Sequence, residues 1–398
     1  MKLGNVITIN PESIEEGYPF DVIEYIEISS VGTGTLEKTR CIQLDAAPSR
    51  AKRIVKKDDI LLATVRPNLR SFWYAKNPKK NMIASTGFAV LRAREKIDSR
   101  FLYYTVTNQP FTDYLTANAK GAAYPAVDTE IIKRAEISLP TLPIQRNIAA
   151  ILSAYDDLIE NNLRRIKILE EMAQALYREW FVHFRFPGHE KVRLIDSPMG
   201  KIPEGWEVKE LKDVCHLIMG QSPKSKYYNT DKLGLPFHQG VTDFGNRFPN
   251  KRFYCSIKGR IADKGDILFS VRAPVGRINI ANTKMVIGRG LCAIRHKAGF
   301  QWYTFHVLKE VFNEEDIIGG GTIFKSVTKK DMERINLLTP TESLAHQFEH
   351  VVEPLEKQID NLTQKNTTLC RTRDLLLPKL ISGELDVSEL DIAIPEED

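Results

Sequence analysis

Cysteine is scarce and scattered in this chain. The five, Cys41, Cys215, Cys255, Cys292 and Cys370, form no C-x-x-C pair, which excludes the common zinc and dithiol motifs and leaves reduced thiols as the expectation. Long apolar runs are missing too. None approaches the roughly 20 residues that span a bilayer, so no membrane helix is expected. The opening Met1-Lys2-Leu3-Gly4-Asn5 lacks the apolar stretch and small-residue cleavage site of a secretory leader, and a cytoplasmic location is expected. No G-x-x-x-x-G-K-[ST] loop occurs, so ATP-driven work is not expected of this chain.

What is present is an ordinary globular composition, 42% hydrophobic and 27% charged over 398 residues, a length that suits two or three domains. The net charge of +5 is mild, but its distribution is uneven. From Arg50 to Lys80 there are ten Lys or Arg against two acids, and from Lys251 to Lys297 eleven against two. Two basic regions imply two contacts with a polyanion.

The chain repeats itself at an offset of 200 residues. Gly121, Val127, Arg134 and Pro140 match Gly321, Val327, Arg334 and Pro340, with Tyr124 against Phe324, Ile132 against Met332 and Ile137 against Leu337, without a gap. After each proline comes a polar stretch whose apolar residues recur at alternating three and four spacing. The first seam is Leu152, Tyr155, Ile159, Asn162, Ile166, Leu169, Ala173 and Leu176; the second is Val352, Leu355, Ile359, Leu362, Asn366, Leu369, Arg373 and Leu376. The seam is narrow and its flanks are charged, which favours a partner helix over a broad core face. Asn162 and Asn366 within it could set register. An antiparallel pair turns the repeat into a pseudo-twofold arrangement with one globular domain at each end.

Upstream, the two basic regions also correspond. Asp59-Ile60-Leu61-Leu62 resembles Asp266-Ile267-Leu268-Phe269, and each is followed by an Arg and a Pro, as Val65-Arg66-Pro67 and Val271-Arg272-Ala273-Pro274. The runs from Gly87 to Arg92 and from Leu291 to Arg295 read as strands in both copies. Each globular part is therefore expected to be mixed α and β. The aromatic-rich stretch Trp180 to Gly188 and the polar segment reaching Trp206 mark a boundary, and an acidic tail closes the chain.

At this point the chain resembles the specificity subunit of type I restriction-modification enzymes over almost its whole length. Four stretches carry the resemblance. They are Leu139-Pro140 through Gln145 to Ile151-Leu152, opening the first helix; Trp180-Phe181, closing it; Gly200-Lys201-Ile202-Pro203-Glu204-Gly205-Trp206, with Gly220-Gln221-Ser222-Pro223 just beyond; and Leu375 through Pro378 to Leu385, closing the second helix. The resemblance implies an α+β chain: two mixed α/β target recognition domains separated by two long antiparallel coiled-coil helices, with an internal pseudo-twofold repeat. The expected boundaries are 1–140 for the first domain, 141–188 for the first helix and the start of a linker, 189–340 for the second domain, 341–385 for the second helix and 386–398 for the tail. It further implies a non-catalytic protein that reads the two halves of a bipartite double-stranded DNA site. Its partners would be two DNA adenine methyltransferase subunits and restriction/translocase subunits, with S-adenosylmethionine, ATP and Mg on those partners and no cofactor here. The Gly220-Gln221-Ser222-Pro223 stretch has no clear equivalent near Ser29 to Gly34, so the two domains are expected to read different bases.

Lys and Arg would contact phosphates, while Arg, Gln, Asn and Lys would reach base edges. The candidates are Arg66, Asn68, Arg70, Lys76, Lys79, Lys80 and Tyr124 in the first domain. In the second they are Gln221, Ser222, Lys224, Lys226, Gln239, Arg272, Arg277, Arg289 and Lys325. Helices of about 35 residues at 1.5 Å rise span roughly 50 Å, which sets half-sites on the order of 10 to 15 base pairs apart. The alternative, a stand-alone metal-dependent nuclease, rests on the loose spacing of Asp196 and Glu207-Val208-Lys209. Two other motifs invite catalytic readings: Asn77-Pro78-Lys79-Lys80 lacks the aromatic of a methyl-transfer loop, and His346-Gln347-Phe348-Glu349-His350 fits the inverted zinc-peptidase spacing. The repeat counterparts of the latter, Arg146, Asn147, Ala149 and Ala150, are no ligands, so a polar helix face is the simpler reading.

Overall fold

The computed structural model describes residues 1–121, 124–312, 326–390 and 392. Two compact units emerge, Met1–Leu163 with Thr363–Asp398, and Arg164–Leu362. The division therefore falls inside the two long helices, Leu142–Tyr177 and Glu342–Ser382. Each helix gives one stretch to each unit. No helix among the described residues is long and apolar enough to cross a membrane.

In the first unit an antiparallel sheet runs in the order Ile7–Ile9, Phe88–Ala93, Ile60–Ala63, Phe72–Tyr74. A second sheet runs Arg40–Gln43, Val22–Ile26, Met82–Ser85, Ala51–Ile54, with its middle two strands parallel. The other unit repeats the plan. Its antiparallel sheet is Cys215–Met219, Leu291–His296, Ile267–Ser270, Ile278–Ile280. Its second sheet has one strand more, and there Leu235–His238 and Met285–Ile287 form the parallel pair. The central strands Ile60–Ala63 and Ile267–Ser270 are buried at every position, which explains why both are apolar throughout except at Ser270.

The same polar brace recurs in both units. Buried Asp59 accepts the Lys56 N–H (2.8 Å) and both Nε (2.7 Å) and Nη2 (2.8 Å) of Arg92. Asp266 accepts the Asp263 N–H (2.8 Å) and the Nε (2.6 Å) and Nη2 (2.7 Å) of Arg295. A carboxylate buried beside apolar strands is tolerated because this bidentate pairing satisfies it. Helix caps repeat too, with Asp128 accepting from Ile131 N and Thr328 from Asp331 N at the 200-residue offset.

Within the first unit the helix halves pair antiparallel. Asn162 Nδ2 donates to Asn366 Oδ1 (2.8 Å), and further along Arg373 Nη1 reaches Asp156 (2.5 Å), so positions rise on one helix as they fall on the other. Arg373 breaks the apolar seam because it answers Asp156, which also accepts from the Tyr104 hydroxyl at 2.6 Å. Leu152 is fully buried, Asn162 and Asn366 are buried, and Tyr155, Ile159 and Leu369 are half-buried. In the second unit Val352, Ile359 and Leu362 are buried, while Ile166, Leu169 and Leu355 are half-buried. There Glu356, the repeat counterpart of Asp156, takes Arg247 and His306 as partners.

The aromatic stretch after the first long helix is core rather than linker. Phe181, Phe184 and Phe186 place their rings 5.7, 5.5 and 5.4 Å from that of Trp206. Three aromatic contacts on one indole hold that segment in the second unit. The tail begins ordered, with Val387 buried and its carbonyl accepting from Asn147 Nδ2 at 3.1 Å; residues 391 and 393–398 lie outside the described residues.

Candidate nucleic-acid interface

In the first unit the loop leaving strand Ile60–Ala63 carries Arg66, Asn68 and Arg70. Arg66 (φ 51°) and Arg70 (φ 56°) are both left-handed and flank a single turn, Pro67–Leu69. Two non-glycine residues in that region cost on the order of 1 kcal/mol each, so the surrounding contacts must impose the shape. They do so through a second loop: Arg66 N donates to Pro125 O (2.6 Å) and Val127 N to Thr64 O (2.9 Å), while Thr64 N donates to Gly87 O (2.9 Å). The Arg66 guanidinium lies 4.5 Å from the centre of the Tyr124 ring, and Tyr124 is 69% exposed. Arg66, Asn68 and Tyr124 thus form one exposed cationic and aromatic tip, which can stack on or hydrogen-bond an anionic partner.

The other first-unit candidates are disposed differently. Arg70 points inward, donating to Thr107 O (2.8 Å) and Gln109 Oε1 (3.1 Å), and acts as a brace between the loop and the helices. Lys76 pairs with Asp157 on the first long helix (2.9 Å), and Lys79 pairs with Glu24. Lys80 is exposed. Leu69, 60% exposed beside Asn68, was not signalled by the sequence, because an apolar loop tip carries no motif.

The second unit builds its loop on the same frame. Val271 N donates to Gly290 O and Val327 N to Val271 O, both at 2.9 Å, and Arg272 bridges to Ser326. Arg272 and Arg277 are exposed; Lys325 lies outside the described residues. Beside this loop three backbone segments meet without room for a side chain. A Cβ on Gly220 would fall 2.1 Å from Gly288 O, and one on Gly290 would fall 2.7 Å from Gln239 O. This junction brings Gln221, Ser222, Gln239 and Arg289 together. His238, just before Gln239, is fully buried, and burial pulls its pKa down to about 4, so it adds no charge there. Lys224 and Lys226 are exposed, the latter with its ammonium 5.0 Å from the Tyr227 ring centre.

The catalytic alternatives find no assembled centre among the described residues, where no three His, Cys, Asp or Glu stand close enough to hold a metal ion. Asp196 lies in the hairpin of Leu194–Ser197 and Gly200–Pro203, whereas Glu207 and Lys209 lie on Glu207–Glu210, which pairs with Asn336–Thr339. His346 and His350 are exposed, but Glu349 is turned inward and accepts the Tyr303 N–H at 2.8 Å. It caps the helix Gln301–Val311 from outside, and burial pushes its pKa up to about 7.

Comparison with known proteins bears on both units. The family model for the type I restriction modification DNA specificity domain matches twice, over residues 1–171 and 203–371. A Methanocaldococcus jannaschii relative named for the MjaX type I restriction enzyme specificity subunit is 30% identical over 391 residues, covering 96% of this chain and 91% of its own. The MjaIX specificity subunit of the same organism is 28% identical over 378 residues, 92% of this chain and 85% of its own. A crystal structure of the type I restriction-modification S subunit from M. genitalium covers 98% of this chain and 96% of its own at a TM-score of 0.58; at 16% identity it speaks for the fold alone.

Proposed function

Because this chain belongs to the type I restriction-modification DNA specificity family, we propose that it is the non-catalytic subunit that reads the two halves of a bipartite double-stranded DNA site and docks methyltransferase subunits. The observation that carries the reading is the repeated loop frame. Thr64 and Val271 leave equivalent central strands and are held by equivalent backbone hydrogen bonds, Thr64 N to Gly87 O and Val127 N to Thr64 O in one unit and Val271 N to Gly290 O and Val327 N to Val271 O in the other, yet the residues around them differ. Equivalent framing with different side chains suits two readers of different base sequences. The exposed lysines Lys80, Lys224 and Lys226 would meet phosphates, with affinity that falls steeply as salt rises.

S-adenosylmethionine, ATP and Mg would act on partner subunits, methyltransferase and restriction/translocase, and the long helices would set the interval between half-sites. Inserting one heptad into each of the two helices is expected to lengthen the unread spacer and leave both half-sites unchanged, as read from the methylated sequences of a cell expressing the variant complex. Altered half-site bases with an unaltered spacer would sink the ruler.

A further inference from the structure

The glycine junction of the second unit orients one side chain in a particular way. Gln239 is exposed, but its backbone is clamped on both sides: Gly288 N donates to His238 O (2.8 Å) and Gly290 N to Gln239 O (3.0 Å). Its side chain is held as well. The Arg289 N–H donates to Ser222 Oγ (3.1 Å), and Ser222 Oγ donates to Gln239 Oε1 (2.8 Å). A hydroxyl has one hydrogen to give. In the structure Ser222 accepts from the Arg289 N–H and gives that hydrogen to Gln239 Oε1, an arrangement that turns the amide Nε2 away from Ser222.

We propose that Ser222 is a positioning residue that makes Gln239 a hydrogen-bond donor toward a base edge, so that the second unit rejects cytosine at the base Gln239 meets. The inference rests on the reading of this unit as a DNA reader. A free glutamine can turn either its donor or its acceptor to a base, the combination that suits adenine; a glutamine whose oxygen is held toward Ser222 presents its Nε2 donor. In the major groove guanine N7 and O6 and thymine O4 accept, whereas cytosine offers the N4 donor. Two donors then face each other, and the buried donor pair is left unsatisfied.

The test is a methylation assay with the full-length chain assembled with its methyltransferase, on duplexes varied one base at a time across both half-sites. The wild type is expected to disfavour cytosine by roughly ten-fold or more at one position of one half-site. Ser222→Ala, which frees the amide, should bring the four bases there within about three-fold of one another, and Ser222→Thr, which keeps the hydroxyl, should behave as the wild type. Gln239→Glu, which replaces the outward donor with an acceptor, should make cytosine the preferred base. In all three the other half-site stays as it was, which also shows that the variants fold and assemble. Unchanged preferences in Ser222→Ala and Gln239→Glu, with both half-sites still read, overturn the inference alone. A wild-type complex that methylates without regard to any base in that half-site overturns it together with the DNA-reading role of the second unit.

Discussion

Replacing Arg247 with methionine is expected to destabilise the second unit by about 4 kcal/mol. Arg247 is only 6% exposed, although it is a charged residue on a long loop. Its guanidinium is bonded to Glu356, lies 3.5 Å from Glu170, and sits 5.5 and 5.4 Å from the ring centres of Trp302 and Phe305. Burial lowers its pKa, and the neighbouring Glu170 opposes that shift. Methionine fills similar space among the aromatics but leaves the Glu356 carboxylate, 2% exposed, without its guanidinium partner and with His306 beside it at 3.2 Å. An isolated buried carboxylate is costly, whereas removing both charges together is nearly neutral. Three of the four tryptophans, Trp180, Trp206 and Trp302, lie in this unit, so tryptophan fluorescence on heating reports its unfolding. The single variant should melt roughly 10 °C lower, and Arg247→Met with Glu356→Gln should recover most of the loss. A single variant that melts with the wild type would show that the pair contributes nothing.

Glu349→Gln should do the opposite at alkaline pH. The carboxyl has a pKa of about 7 in the fold against 4.5 as the reference, with burial as the main cause. A group whose folded pKa is raised stabilises fully below its unfolded value, and that stability is lost as pH rises through the folded one. The wild type should therefore lose up to about 3 kcal/mol between pH 4.5 and 8 at this site. Glutamine keeps an oxygen for the Tyr303 N–H and carries no proton to lose. The variant should match the wild type near pH 5 in urea unfolding and exceed it at pH 8. Equal stability of the two proteins at both values would show that Glu349 does not titrate in this range.

Much of the architecture is legible in the sequence because its signals are local. The seam residues from Leu152 to Leu176 recur at helical spacing, and buried strands such as Phe88–Ala93 and Leu291–His296 are nearly continuous apolar runs. The second sheet in each unit is much less legible. Its parallel pairing joins Val22–Ile26 to Met82–Ser85, segments far apart in the chain, and one strand of the other unit is only Tyr228–Asn229. Charge is legible as composition but not as destination. Arg66 and Arg70 look alike in the sequence, yet one lies under an exposed tyrosine and the other braces two helices. Nothing in the sequence around Arg247 marks it as buried, and Arg373, a charged residue within the apolar seam, proves to be an ion-pair partner. The hold of Ser222 on Gln239 depends on Gly220, Gly288 and Gly290 meeting, and no sequence window contains all three.

The most direct measurement of DNA reading by two halves is a genome-wide adenine-methylation map from cells expressing this chain with its methyltransferase. A single bipartite motif, two short specific halves separated by a spacer of fixed length, is the predicted result. A continuous motif, or none from a complex shown to assemble, would contradict it.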